Sequence, residues 1–166
     1  MPAGRKIVLA VDDSPISQEA VEWASKKLLN PNDEVHLISV LDPGQRPDIS
    51  TAGESSYLLL ENADCKPNPL QLEQRALMLK KYQAAVAANS GSNNVKMTTL
   101  VSCVGGSTDL GRHICEYAAE NKADLLVMGS RGMGSAQRSI MNLFGLGSVS
   151  EFVTRHGENV LVHRRQ

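Results

Sequence analysis

Four short, predominantly apolar runs mark this chain: Lys6–Val11 (KIVLAV), which is almost wholly apolar and β-branched, Glu34–Leu41 (EVHLISVL), Asp124–Met128 (DLLVM) and Asn159–His163 (NVLVH). Apolar runs without polar alternation mark strands buried on both faces, the condition of a parallel sheet. A fifth run, Val95–Val104 (VKMTTLVSCV), is third in chain order. Helical patterns separate them. Ser14 followed by Pro15 is an N-cap with proline at the first helical position, and Ala20, Val21, Ala24, Leu28 and Leu29 recur at helical spacing up to Asn30-Pro31-Asn32. The alanine-rich stretch Leu70–Ala88 predicts a second helix, with Leu72, Ala76, Leu79 and Val86 on or near its buried face. Gly105-Gly106-Ser107-Thr108 leads into a third helix through Ala119, with Ile114, Tyr117 and Ala118 facing the core, and Ser148–His156 forms a fourth. Strands alternating with helices imply right-handed crossovers and a parallel sheet covered on both faces, an α/β fold.

The chain's 166 residues suit a single domain over 1–166. Its long loop, about 43–69, is rich in Pro, Gly, Ser and Asp and holds one apolar turn at Tyr57-Leu58-Leu59-Leu60. Lys and Arg number 17 against 18 Asp and Glu, a net charge of −1, so no broad positive field exists to hold nucleic acid. The apolar run in MPAGRKIVLAVDDS is cut off by two aspartates, too short for a signal peptide or a membrane span, and a cytoplasmic, membrane-free protein is expected. Three scattered cysteines make no disulfide framework: Cys103 and Cys115 read as small core residues and Cys65, in a polar stretch, as an exposed thiol. His36, His113, His156 and His163 lack metal-ligand spacing or an adjacent acidic partner and read as surface or interface residues.

In open parallel sheets a ligand sits beyond the carboxyl ends of the strands where their order reverses. With the first strand central, its exit turn Val11-Asp12-Asp13-Ser14 and the turn Gly129–Gly134 flank one crevice, and Leu41-Asp42-Pro43 can close its side. Backbone N–H groups at Gly129–Gly132, and at the helix start near Gly147-Ser148, suit phosphate oxygens. Ser148 and Ser150 add hydroxyl donors, Arg131 a guanidinium fork, and Asp12 an acceptor for ribose hydroxyls. The same residues also serve as bare turn and cap elements, glycines for tight βα connections and Asp12 or Ser14 as helix caps.

KIVLAVDDSPISQEAVEWA, the SVLDP end of the second strand, and ADLLVMGSRGMGS followed by LGSVSEFVTRHGENVLVHRR closely resemble the universal stress protein family. Its ATP-binding members carry Gly-x2-Gly-x9-Gly-Ser/Thr, and here Gly129, Gly132, Gly147 and Ser148 match its two ends. The resemblance implies a flavodoxin-like, Rossmann-like three-layer sandwich with a five-stranded parallel sheet in order 3-2-1-4-5. It implies a stress-response regulatory protein that binds ATP or AMP, with magnesium held through the nucleotide phosphates. It also implies a homodimer paired through Asn159–His163. Carried over by position, Asp12 would hold ribose; Val11 and Val40 would flank adenine and hydrogen-bond it through main chain, and Met128 would line the pocket; Gly129, Gly132, Gly147, Ser148 and Ser150 would hold phosphates, beside Arg131, with Ala10 and Val149 also among the nucleotide-binding residues. The departure is length: fourteen residues separate Gly132 from Gly147, five more than the pattern, and the surplus near Met141–Leu146 either bulges outward or reshapes the phosphate site. That lengthening is similar to loops of plant and algal members.

AVDDS also resembles a receiver domain, but the third strand ends Ser102-Cys103-Val104-Gly105 with no phosphoacceptor aspartate. Dinucleotide and Walker fingerprints, a nucleophile elbow and a Ser-His-Asp set are absent from the local motifs. Three readings stand: a nucleotide-binding regulatory module, a slow ATP hydrolase or phosphotransferase, and an interaction module without nucleotide. Asp13, expected to point away, is the only nearby candidate base, which favours the binding module.

Overall fold

The computed structural model describes residues 4–43, 65–130 and 148–164. Five strands, β1 (Lys6–Ala10), β2 (Glu34–Leu41), β3 (Val95–Val101), β4 (Leu125–Gly129) and β5 (Val160–His163), form one parallel sheet in the order β3-β2-β1-β4-β5. This is the expected order. Helices α1 (Pro15–Lys27), α2 (Pro69–Ser90), α3 (Gly106–Glu120) and α4 (Ser148–His156) connect and cover it.

Strand alternation divides the core in two. Ile7, Leu9, Val11, Val35, Leu37 and Val127 point to the layer of α1 and α2, meeting Val21, Ala24, Leu79, Tyr82 and Val86. Val8, Ala10, Ile38, Val40, Leu126 and Met128 point to the opposite layer, meeting Ile114 and Ala118 of α3 and Val149 and Val153 of α4. Three central strands buried on both faces explain their unbroken apolar sequence.

Local chemistry starts the helices where the sequence places them. Ser14 Oγ accepts the Ser17 N–H and Pro15 opens α1. Asn68 and Gln71 form a capping box at the start of α2, which ends at Gly91 in the left-handed region. The buried stripe of α2 is Leu79, Tyr82, Val86 and Ser90, whereas Leu72 is 38% exposed and Ala76 is also exposed, contrary to the sequence expectation. The first turns of α2 lie beside the ends of Leu41 and Asp42 instead of over the sheet, so they have little apolar surface to cover.

Two side-chain expectations are corrected. His36 is neither surface nor lacking an acidic partner: it is 1% exposed, with Nδ1 2.9 Å from the Tyr117 hydroxyl and Nε2 2.8 Å from Glu34 Oε1, and His113 too has an acidic partner, Asp109 Oδ2 at 3.5 Å from its Nε2. Strand residues i and i+2 share a face, so Glu34 stands beside His36. Cys65 is not an exposed free thiol and Cys103 not a buried core residue: both are partly exposed and joined in a disulfide between positions 38 apart in sequence. The pairing is long-range: one cysteine precedes α2 and the other follows β3, so neither spacing nor local polarity could reveal it. Cys115 remains a free thiol, pushed up by burial and by the Glu116 charge.

Lys96 Nζ donates to Glu34 Oε1 at 2.6 Å, and together with His36 it lowers the Glu34 carboxyl to about 2. A carboxylate depressed by folding contributes stability above its unfolded pKa that is lost as pH falls through its folded value. Urea midpoints measured from pH 7 to about pH 2 are therefore expected to fall less steeply below the ordinary carboxylate range for Glu34→Gln than for wild type.

Candidate functional site

The sheet's order reverses around β1, whose neighbours β2 and β4 carry chain away to opposite sides. The exits of these three strands define the candidate crevice. The Val11 N–H donates to Ile38 O at 2.8 Å, keeping β1 in register as it ends. Asp12 follows, only 4% exposed. Its backbone is held on both sides: its N–H donates to Ser17 Oγ at 3.1 Å, and the Tyr82 hydroxyl donates to its carbonyl at 2.7 Å. Its Oδ1 accepts the Ser14 N–H at 3.0 Å and the Ser14 hydroxyl at 2.5 Å. Its Oδ2 is buried and has no hydrogen-bond partner among the described residues.

That orphaned oxygen is the distinguishing feature of the site. Buried carboxylate oxygens are almost always paired because desolvation without a partner is costly. Burial, with the charges of Asp12 and Asp13, pushes the Tyr82 phenol up to about 12, so it stays a hydrogen-bond donor.

Of the other sequence-predicted residues, Ala10 and Met128 are direct register partners across β1 and β4, and Val40 stands two positions beyond Ala10's partner Ile38. All three join Val149 in the same buried cluster on the α3–α4 side, while Val11 packs on the α1–α2 side. Gly129 closes β4 where a Cβ would lie 3.1 Å from Ile16 Cγ1 and 3.3 Å from its backbone carbon, so glycine lets α1 approach the strand end. Ser148 is exposed at the start of α4. The Ser150 hydroxyl donates to Ser130 O at 2.9 Å, and Ser130 N–H donates to His163 O at 2.9 Å, which fastens α4 to the exits of β4 and β5. Arg131, Gly132 and Gly147 lie outside the described residues, as do Met141–Leu146 and Tyr57–Leu60.

Sequence reasoning missed Ser17 and Tyr82, which brace Asp12. Tyr82 lies three residues after Leu79 at core spacing, a signal that helical periodicity does carry. Beside the crevice, Asp13, Leu41, Asp42, Gln71, Gln74, Arg75 and Met78 line an open hollow of about 220 Å³, into which the start of α2 brings polar groups. Among the described residues, no group of three or more His, Cys, Asp or Glu could hold a metal, and no helix is long and apolar enough to cross a membrane.

The family model described as universal stress protein family matches residues 4–164. The chain belongs to that family. No curated protein matches the chain. Among solved structures, the hypothetical protein MJ0577 is 23% identical, with 99% of this chain and 98% of that one covered at a TM-score of 0.65. The universal stress protein UspA from Lactobacillus plantarum is 22% identical, covering 95% and 96%, with a TM-score of 0.61. A universal stress protein crystallised in complex with cAMP is 23% identical, covering 96% of each chain, with a TM-score of 0.57. At these identities the likeness speaks for the fold, and this universal stress protein shares its five-stranded architecture with all three.

Proposed function

We propose that this universal stress protein is an adenine-nucleotide-binding regulatory module that takes ATP or AMP at the carboxyl ends of β1, β2 and β4. The observation that carries the reading is Asp12 Oδ2, a buried acceptor without a partner among the described residues at the reversal point of a parallel sheet. Its sister oxygen is occupied by Ser14. The open oxygen suits a ribose hydroxyl, so the residues present fit a nucleoside. Ala10, Val40 and Met128 supply apolar walls for adenine, and Val11, whose side chain faces the α1–α2 layer, supplies a backbone group. Gly129, Arg131, Gly132, Gly147 and Ser148 are assigned to the phosphates, with Val149 and Ser150 offering only backbone N–H groups at the start of α4, because the expected Ser150 hydroxyl donor is already given to Ser130 O; magnesium is carried on the nucleotide. The relative solved with cAMP, itself an adenine nucleotide, lends support.

Regulation requires that nucleotide bind one conformation more tightly than another. The chain's own contribution is to bind and orient; no described residue is assigned as a base toward the γ-phosphate. Calorimetric titration with ATP and Mg²⁺ tests the phosphate side. Ser148→Ala is expected to weaken ATP about tenfold, the loss of one hydrogen bond to a charged oxygen, and Gly132→Val more, by blocking close backbone approach. Unchanged affinity in both variants would remove the phosphate assignment.

The proposal extends to a homodimer through Asn159–His163. β5 is an edge strand whose four residues are all partly exposed. The carbonyls of Asn159 and His163 face β4, accepting from Leu126 and Ser130. Alternation then turns the Val160 and Val162 N–H groups to the outer edge, where a second copy can pair. Val162→Pro removes an outward donor and spares the ladder to β4. Sedimentation should show monomers for this variant and dimers for wild type; a wild type that stays monomeric at high concentration removes the dimer.

A further inference from the structure

We propose that the Cys65–Cys103 disulfide is a redox switch on the nucleotide site, a regulation that rests on the nucleotide reading above. The disulfide joins two elements that shape the crevice. Cys65 lies three residues before Asn68, the N-cap of α2, so the bond tethers the helix start. The turns that follow carry Gln71, Gln74 and Arg75 to the hollow beside Asp13 and Asp42. Further along the same helix, Tyr82 holds the Asp12 carbonyl.

Among the described residues, those first turns bury little apolar surface. Leu70, Leu72 and Leu77 are exposed, the first buried residue is Leu79, and Arg75 reaches Ser39 Oγ at only 3.3 Å. Segments with few buried apolar contacts open at low cost. The other end of the bond is well anchored. Ser102 donates its N–H to Leu41 O at 2.9 Å and its hydroxyl to Asp109, and Gly105 N–H donates to Ser102 Oγ at 3.0 Å. Arg112 pairs with Asp109, and His113 Nε2 lies 3.5 Å from it.

When a reductant attacks Cys65, Cys103 Sγ is the leaving group. A dithiol reductant attacks Cys65 Sγ through one thiolate, the S–S bond breaks, and Cys103 departs as thiolate and takes up a proton. The reductant's second thiol then displaces Cys65, which leaves as a thiol while the reductant closes its own disulfide. Two electrons and two protons pass to the protein. Both cysteines are partly exposed, which gives the reductant access.

The test compares oxidised and dithiothreitol-reduced full-length protein in a Cys115→Ser background, which prevents thiol reshuffling. Reduction should weaken ATP at least about fivefold by calorimetry and speed amide hydrogen exchange over Leu70–Met78 about tenfold. Cys65→Ser should show the weak affinity with or without reductant. Equal affinities in the two redox states, or unchanged exchange over Leu70–Met78, would overturn the switch while leaving the nucleotide site standing. Absence of ATP binding in the oxidised form would instead overturn the nucleotide reading and this regulation with it.

Discussion

Asp12→Asn is expected to weaken ATP about 10-fold to 100-fold while leaving the thermal midpoint of the ligand-free protein within about 3 °C of wild type. The amide keeps an oxygen for the Ser14 N–H and hydroxyl, so the turn into α1 survives. At the Oδ2 position it presents an N–H₂ donor, which cannot accept from a ribose hydroxyl. A hydrogen bond to a charged group is worth about 1.5–3 kcal/mol, and that sets the affinity range. Asp12→Ala provides the contrast. It also removes the acceptor for Ser14 and should lose stability as well as affinity, since a cap-type interaction lost to alanine costs about 1 kcal/mol. If Asp12→Asn binds ATP as wild type does, Oδ2 does not meet the ligand. If it unfolds, Asp12 is a structural residue first.

The second large effect is on stability. Breaking the Cys65–Cys103 bond is expected to lower the thermal midpoint by roughly 8–16 °C. The closed segment spans 38 positions, for which the chain-entropy relation gives about 4 kcal/mol. For a chain of this length each kcal/mol shifts the midpoint by about 2–4 °C. Cys65→Ser/Cys103→Ser should show the same drop without reductant, and reductant should not lower it further. A midpoint that does not move on reduction would mean that packing alone holds the start of α2 against the exit of β3, contrary to the sparse burial of Leu70, Leu72 and Leu77.

The elements most legible in the sequence were those whose burial is set by one simple period. β2 over Glu34–Leu41 and α4 over Ser148–His156 have the limits that their apolar patterns predict. β3 stops at Val101 instead of Val104 because Ser102 turns away to bond Asp109, a contact across seven positions that hydropathy does not register. Asp12 was legible because it ends a buried run at the sheet's centre and precedes a capped helix. The convergence of Ala10, Val40, Met128 and Val149 in one cluster follows from strand parity and register. What brings Tyr82 to Asp12, Glu34 to His36 and Cys65 to Cys103 was hidden to different degrees. The first follows helical spacing and the second strand parity, both readable in principle. The disulfide depends on where the chain returns after a long loop, and no local pattern encodes that.

Titration of wild-type protein with ATP and Mg²⁺ in a calorimeter is the most direct measurement. If Asp12 Oδ2 is held open for ribose, the heat saturates at one nucleotide per chain and is strongly reduced in Asp12→Asn. Absence of heat in the wild type, or the same affinity in both proteins, contradicts a nucleotide site at the end of β1.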